Sequence, residues 1–229
     1  MNLIEYTNYF LNDPIRRQKI IAELDTIQEE MEGYGCYEKS LRPGKATSFL
    51  VYCLNGYYLE HMNQKLTKYL EIGCLYGHSL SALAKSGFNG TAYGIDLFTG
   101  YYGNFTHFPA GYKKNSESHK TIVENNVLKF GNCNLKLMRG STQEADFDDN
   151  LEKEVYDLDV LLIDGDHSYE GCKSDYNKMA KYVKKGGILL FDNYEMGGVK
   201  KAVSEGVAEH PEVQEVGVWK NTTWVAVKK

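Results

Sequence analysis

From about residue 68 onward, short apolar runs alternate with segments of helical period. A parallel sheet imposes this pattern, because each crossover must carry the chain back across a face. Tyr69–Ile72, Thr91–Leu97, Leu135–Met138, Leu158–Asp164 and Gly187–Asp192 read as buried strands. Between them, helices are predicted over Ser79–Ser86, Ser116–Lys129 and Tyr169–Val183, the last with Cys172, Tyr176, Met179, Ala180 and Val183 on one face. Lys184-Lys185-Gly186-Gly187 reads as the end of that helix, with cations in its final turn and glycine beyond. A helix over Val199–Glu209 follows. Val213–Trp219 and Thr222–Val227 then alternate in period two, joined only by Lys220-Asn221, which makes an antiparallel hairpin.

Before residue 68 the signals are helical. Asp13 is a plausible cap, Pro14 occupies the first helical position, and Ile20, Ile21, Leu24, Ile27 and Met31 share a face over residues 13–31. A second apolar stretch, Thr47 to Met62, follows a break around Gly33 and Gly35. The expected organisation is a helical extension over 1–66 and an α/β domain over 67–229. The extension is placed to cap a site or to join a homodimer.

Composition narrows the class. The 229 residues are 42% hydrophobic and 25% charged, which suits a folded domain with a large core rather than disorder. A net charge of −5 without a basic run argues against a nucleic-acid partner. Five cysteines at 36, 53, 74, 133 and 172 contain no C-x-x-C pair, so neither a zinc site nor a disulfide framework is legible. No signal segment and no apolar run of about 18 residues is found, so a soluble cytoplasmic protein away from membranes is expected. The N-x-[ST] matches at Asn89, Asn104 and Asn221 are then chance occurrences.

Ligands of open α/β sheets bind beyond the carboxyl ends of the strands, so the strand ends carry the candidate chemistry. The first reads Glu71-Ile72-Gly73-Cys74-Leu75-Tyr76-Gly77-His78-Ser79, with glycines for a tight turn before a helix. Leu75 and His78 stand where a dinucleotide G-x-G-x-x-G needs glycine, and Lys39 stands where a Walker loop preceding Gly44-Lys45 needs one. The second ends Gly94-Ile95-Asp96-Leu97, a carboxylate suited to two ribose hydroxyls or, more simply, to capping the strand end.

YLEIGCLYGHSLSALA followed by AYGIDLF resembles motif I and the acidic second-strand end of class I S-adenosylmethionine-dependent methyltransferases. G-x-x-x-G-[HY]-S is similar to the form in catechol and caffeoyl-CoA type O-methyltransferases, and D-G-D-H-x-Y-E-G at 164–171 resembles sugar and natural-product O-methyltransferases more closely still. The resemblance covers residues 68–229 and implies a Rossmann-like fold: a seven-stranded, mainly parallel sheet with a C-terminal antiparallel hairpin and helices on both faces. It implies S-adenosylmethionine as cofactor. Gly73, Tyr76, Gly77 and Ser79 would surround its methionine part, Asp96 would hold the ribose and Gly140-Ser141 would border the adenine, with Glu71, Leu97 and Asp164 completing the set.

Strands four and five end in Asp164 and in Asp192-Asn193. Neighbouring strands lie about 4.8 Å apart, so these three could converge on one small volume and offer Mg²⁺ oxygen ligands. The cation-dependent O-methyltransferases hold their metal with the same Asp and Asp-Asn pattern. Their usual lysine base is replaced here by His167, whose ordinary pKa suits proton abstraction near neutrality. Asp164 has plainer readings as a cofactor contact or a cap for the helix at Tyr169, and His167 as a residue that merely orients a loop. Asp166 reads as structural, and His61, His119 and His210 as surface or packing residues. The aromatic segment 98–112 is long for a βα connection and is expected to cover the acceptor.

The resemblance thus implies methyl transfer to a hydroxyl of a small molecule, with Asp164 and His167 catalytic. A non-catalytic S-adenosylmethionine-binding protein is the main rival. An NAD-dependent oxidoreductase is disfavoured by Leu75, His78 and the hairpin, and a nucleic-acid methyltransferase by the missing proline in Asp192-Asn193-Tyr194.

Overall fold

The computed structural model describes residues 1–31, 44–98, 116–144, 147, 151 and 154–229. Helices α1 (Leu3–Asn12), α2 (Pro14–Glu30) and α3 (Gly44–Gly56) lead to β1 (Lys68–Ile72), α4 (His78–Lys85), β2 (Thr91–Asp96), α5 (Ser116–Phe130) and β3 (Asn134–Arg139). Then come β4 (Leu158–Ile163), α6 (Tyr169–Met179), β5 (Val183–Phe191), α7 (Gly197–Ala202), β6 (Val213–Trp219) and β7 (Thr223–Lys228). The seven strands run in the order β3-β2-β1-β4-β5-β7-β6. β1 to β5 are parallel, while β7 lies antiparallel between β5 and β6.

Both faces of the sheet are covered, which is why the central strands read as continuous apolar runs. Tyr69, Val160, Leu162, Ile188 and Leu190 pack into one apolar cluster with the residues of α1 to α5. Their chain neighbours Leu70, Leu161, Ile163, Leu189 and Phe191 pack into a second cluster with α6, α7 and Trp224. The N-terminal helices therefore share a core with the sheet: Leu24, Ile27, Leu50, Leu54 and Tyr58 are all buried in the first cluster. Among the described residues no helix is long and apolar enough to cross a membrane.

Three departures from the pattern have identifiable causes. α1 carried no strong periodic signal, but Asn2 and Glu5 form a reciprocal capping box that satisfies its first N–H groups. α3 and α7 close in single wide turns, Tyr57–His61 and Val203–Val207, rather than continuing as regular helix. The largest correction concerns Lys184-Lys185-Gly186-Gly187, which belong to β5 instead of ending α6. The carbonyls of Ala180 and Val183 are taken by Lys228 Nζ from β7, at 3.0 and 2.9 Å, so no glycine cap is needed. Lys184 meanwhile reaches across to an ion pair with Asp159 at the start of β4.

Asp159 is fully buried, and its second oxygen accepts hydrogen bonds from Thr67 N, Thr67 Oγ1 and Lys68 N. Burial acts against its charge, but Lys184 and these donors prevail and hold its pKa below the ordinary value. The Tyr58 hydroxyl donates to its carbonyl at 2.9 Å, pinning α3 to the same sheet edge. Asp159→Ala leaves the Thr67 and Lys68 N–H groups without their acceptor and is expected to cost about 1–3 kcal/mol, read as a lower denaturant midpoint. An unchanged midpoint would show that the cluster is not a fold determinant.

Candidate active site

The sheet order reverses between β1 and β4, and the strand ends around that point are laced together just past the sheet. Gly140 N donates to Asp96 O (3.0 Å), Gly73 N to Ile95 O (2.8 Å), Asp164 N to Ile72 O (2.9 Å) and Asp192 N to Ile163 O (3.0 Å). Five carboxyl ends therefore form one rim, the crevice where ligands of such sheets bind. Gly73 is required here. At φ +84° it is left-handed, and a Cβ would lie 2.0 Å from the Asp164 carbonyl oxygen, so only glycine lets the two strand ends meet.

The turn after β1 is held from both sides. Asp96 Oδ2 accepts from Cys74 N (2.9 Å) and Leu75 N (3.1 Å), while its Oδ1 accepts from Phe98 N (2.7 Å). From α5, Asn126 Nδ2 donates to Tyr76 O at 3.1 Å, His119 Nε2 lies 2.8 Å from Leu75 O, and Val123 and Val127 press on Gly77. Tyr76 is buried with its ring against His119. Asp96 thus has the structural task of shaping the turn whatever else it binds. His119 is buried between the rings of Tyr76 and Phe98. α4 begins after Gly77 without a side-chain cap among the described residues, a helix start that can offer N–H groups to a ligand.

Glu71 lies beneath this turn, buried, with Ser79 Oγ donating to Oε1 (2.6 Å) and the Tyr69 hydroxyl to Oε2 (2.8 Å). Burial, aided by the charges of Asp164 and Asp192, pushes it up to about 8. Asp164 and Asp192 follow directly on Ile163 and Phe191, which pair across β4 and β5, so their carboxyl groups face each other's charge across the rim. Burial first and mutual repulsion second push Asp192 up to about 8; burial and the charge of Asp96 do the same to Asp164. His167 Nε2 stands 3.2 Å from Asp164 Oδ1, and burial pulls this imidazole below its ordinary pKa.

The α6 cap is Ser168, whose Oγ accepts from Gly171 N at 3.0 Å, so Asp164 does not cap that helix. Asp166 accepts from Ser168 N and Gln143 Nε2, the structural role expected of it. Gly140, at φ +156°, faces the ring of Phe147, and Ser141 Oγ accepts from Gln143 N. Leu97 is exposed just past β2. Of the aromatic segment, residues 99–115 lie outside the described residues, as does the Gly33–Gly35 break.

The motif reading missed a group of threonines around Asp192. Thr47 Oγ1 donates to Asp192 Oδ1 at 2.5 Å, Thr222 Oγ1 donates to the same oxygen at 3.5 Å, and Thr47 and Thr223 hydroxyls are 2.6 Å apart. Thr142 likewise donates to the buried Asp175 of α6. No motif flags these residues. Among the described residues no group of three His, Cys, Asp or Glu side chains is arranged around a metal position. Asp164 and Asp192 with the Asn193 amide make a different set, two carboxyls and an amide. Asp192 is buried and Asp164 partly exposed, and two carboxyls at the ends of neighbouring strands suit a dication, which relieves their repulsion.

A methyltransferase-domain family matches residues 70–194, from β1 through the Asp192-Asn193 end of β5. The chain belongs to this methyltransferase family. A protein of Acanthamoeba polyphaga mimivirus is 32% identical over 149 residues, 62% of this chain and 60% of the relative, so the match spans under two thirds of that relative's length. Solved structures with the same fold include the Bacillus cereus O-methyltransferase in complex with SAH, at 17% identity, TM-score 0.61 and full coverage of both chains. NovP, an O-methyltransferase, matches at 13% identity and TM-score 0.62 over 93% of this chain and 99% of its own. CalS11, a TDP-rhamnose 3'-O-methyltransferase of calicheamicin biosynthesis, matches at 14% identity and TM-score 0.53 over 94% and 95%. The Rossmann-like class I methyltransferase fold expected from the motifs is thereby established, hairpin included.

The carboxyl cluster gives this methyltransferase a definite pH dependence. Free carboxyls titrate near pH 4, whereas Glu71, Asp164 and Asp192 are pushed up to about 8. Between these values the folded state holds protons the unfolded chain has lost, so stability falls as pH rises through that window. The Tm of the ligand-free protein is expected to decline from pH 5.5 to 8.5. Asp192→Asn, which removes one repelling charge and keeps an acceptor for Thr47, should flatten the decline and raise Tm at pH 8.5 by a few degrees, the shift produced by about 1 kcal/mol. A variant with the wild-type slope would contradict this account.

Proposed function

We propose that the protein transfers a methyl group from S-adenosylmethionine to a hydroxyl of a small molecule of sugar or natural-product type, assisted by Mg²⁺. The observation that carries this reading is the joining of Asp164, His167 and Asp192 at one rim with the turn of Gly73–Gly77. The TDP-rhamnose specificity of CalS11 supports the sugar class.

The residues present suit the cofactor's charges. The uncapped start of α4 offers N–H groups to a carboxylate, and the acidic wall of Glu71, Asp164 and Asp192 suits an ammonium and a sulfonium. Gly73, Tyr76, Gly77 and Ser79 would hold the methionine part, Asp96 and Leu97 the ribose, and Gly140 and Ser141 the adenine. Asp164, Asp192 and Asn193 would hold the cation. When bound, the cofactor supplies an electrophilic methyl group, and Mg²⁺ supplies charge that lowers the acceptor's hydroxyl pKa.

The protein's own part is orientation and proton handling. His167 Nε2 is held 3.2 Å from Asp164 Oδ1, and its lowered pKa keeps the imidazole neutral near pH 7, so that it can take the hydroxyl proton. The covalent change is then a C–O bond formed as a C–S bond breaks, with the hydroxyl proton passing to the imidazole.

Calorimetric titration should show binding of S-adenosylmethionine and S-adenosylhomocysteine but not NAD. A panel of sugar, catechol and natural-product hydroxyls, scored by S-adenosylhomocysteine release, should give turnover that EDTA suppresses and Mg²⁺ restores. His167→Ala is expected to lower kcat about 10²–10⁴-fold with S-adenosylhomocysteine affinity preserved. Binding of NAD instead, or an absence of transfer to every class of acceptor, would overturn the reading; full turnover in EDTA would remove the cation and leave His167 alone.

A further inference from the structure

Four consecutive residues of α3 divide their contacts between the two sides of the site. Trp219 Nε1 donates to Ala46 O at 3.1 Å, Thr47 reaches Asp192 and Thr223, Ser48 Oγ lies 2.6 Å from His78 Nδ1 at the start of α4, and Phe49 stacks on Trp219 with ring centroids 6.4 Å apart. The Ala46 and Phe49 contacts hold α3 against the hairpin without any help from the Thr47 hydroxyl. That hydroxyl therefore has a separate employment.

Its direction follows from proton counting. Thr47 has one hydroxyl proton and donates it to Asp192 Oδ1. Thr223 must then donate to Thr47, so a relay runs from Thr223 through Thr47 to Asp192 Oδ1, with Thr222 approaching the same oxygen. Thr47, Thr222, Thr223 and Asp192 are all buried. Threonine hydroxyls thus gather on Oδ1, while Oδ2 stays outside their network.

We propose that Thr47 is a positioning residue for methyl transfer: it fixes the rotamer of Asp192 so that Oδ2 is presented to the side shared with Asp164. The helical extension is by this account a working part of the catalytic centre. Outer partners that orient a ligating carboxylate matter about 10–100-fold in metal affinity or activity when lost. This inference rests on the methyl-transfer reading above and adds to it a residue outside every motif.

The test compares Thr47→Val, which keeps the shape and removes the hydroxyl, with Thr47→Ser, which keeps the hydroxyl. Mn²⁺ and S-adenosylhomocysteine are titrated calorimetrically into each protein, and kcat and KM are measured with the best acceptor from the panel. The valine variant is expected to lose about 10–100-fold in Mn²⁺ affinity and in kcat, with S-adenosylhomocysteine affinity within twofold of wild type, and serine should restore both. Wild-type Mn²⁺ affinity and kcat in the valine variant would overturn the proposal. Equal losses in both variants, or a fall in cofactor affinity matching the fall in kcat, would also overturn it by marking a merely structural role. If the wild type binds the cofactor product but no Mn²⁺, the cation is removed from the proposed function and kcat alone decides on Thr47. If it shows no turnover, methyl transfer falls and the Mn²⁺ titration decides; if it shows neither, both readings fall.

Discussion

Two acidic side chains brought close at one rim set the terms for the rest of the molecule. Asp164 and Asp192 follow the ends of neighbouring parallel strands, whose spacing keeps their charges near each other. Burial and repulsion make them retain protons well above the usual carboxyl range. A fold selected for stability alone has no use for such a pair. Carboxyls whose proton affinity is shifted in this way cluster at functional sites, where the shift is put to use.

Around this pair the structure invests in rigidity. The turn after β1 is shaped by Asp96 and clamped by Asn126, His119, Val123 and Val127 of α5. Ser79 and Tyr69 occupy Glu71, and threonines occupy Asp192. Each polar group near the rim is thereby given an orientation before any ligand arrives, which is the arrangement that lets fixed dipoles act without reorganising.

The N-terminal helices take part in this. α3 and the wide turn that closes it touch the strands at both ends, through Tyr58 on Asp159 at the start of β4 and through Thr47 on Asp192 at the end of β5. Its apolar face is buried in the cluster that also covers β1 and β4. An element of that kind sets the distance between the hairpin and the glycine-rich turn, and the bond of Ser48 to His78 ties that distance to the start of α4.

The sequence by itself determined the order of strands and helices, the hairpin, and the chemical types at the strand ends. Local signals suffice for these: period-two and helical alternation, glycine at positions of positive φ, and the short Lys220-Asn221 join. It singled out Asp164, Asp192 and Asn193 because strand ends in a parallel sheet face one rim, a rule of topology that needs no coordinates, and the resemblance to O-methyltransferases added their chemistry and that of His167. It misread Lys184–Gly187 because a lysine-glycine run looks the same whether it ends a helix or opens a strand, and the deciding partners, Asp159 and Lys228, are 25 and more residues away in sequence. It was silent on Thr47, Thr222 and Thr223, whose significance lies in a hydrogen-bond network spanning 145 residues of chain between Thr47 and Asp192. Only the tertiary structure brings such groups together, since a hydroxyl's role depends on the carboxylate it meets and not on its neighbours along the backbone.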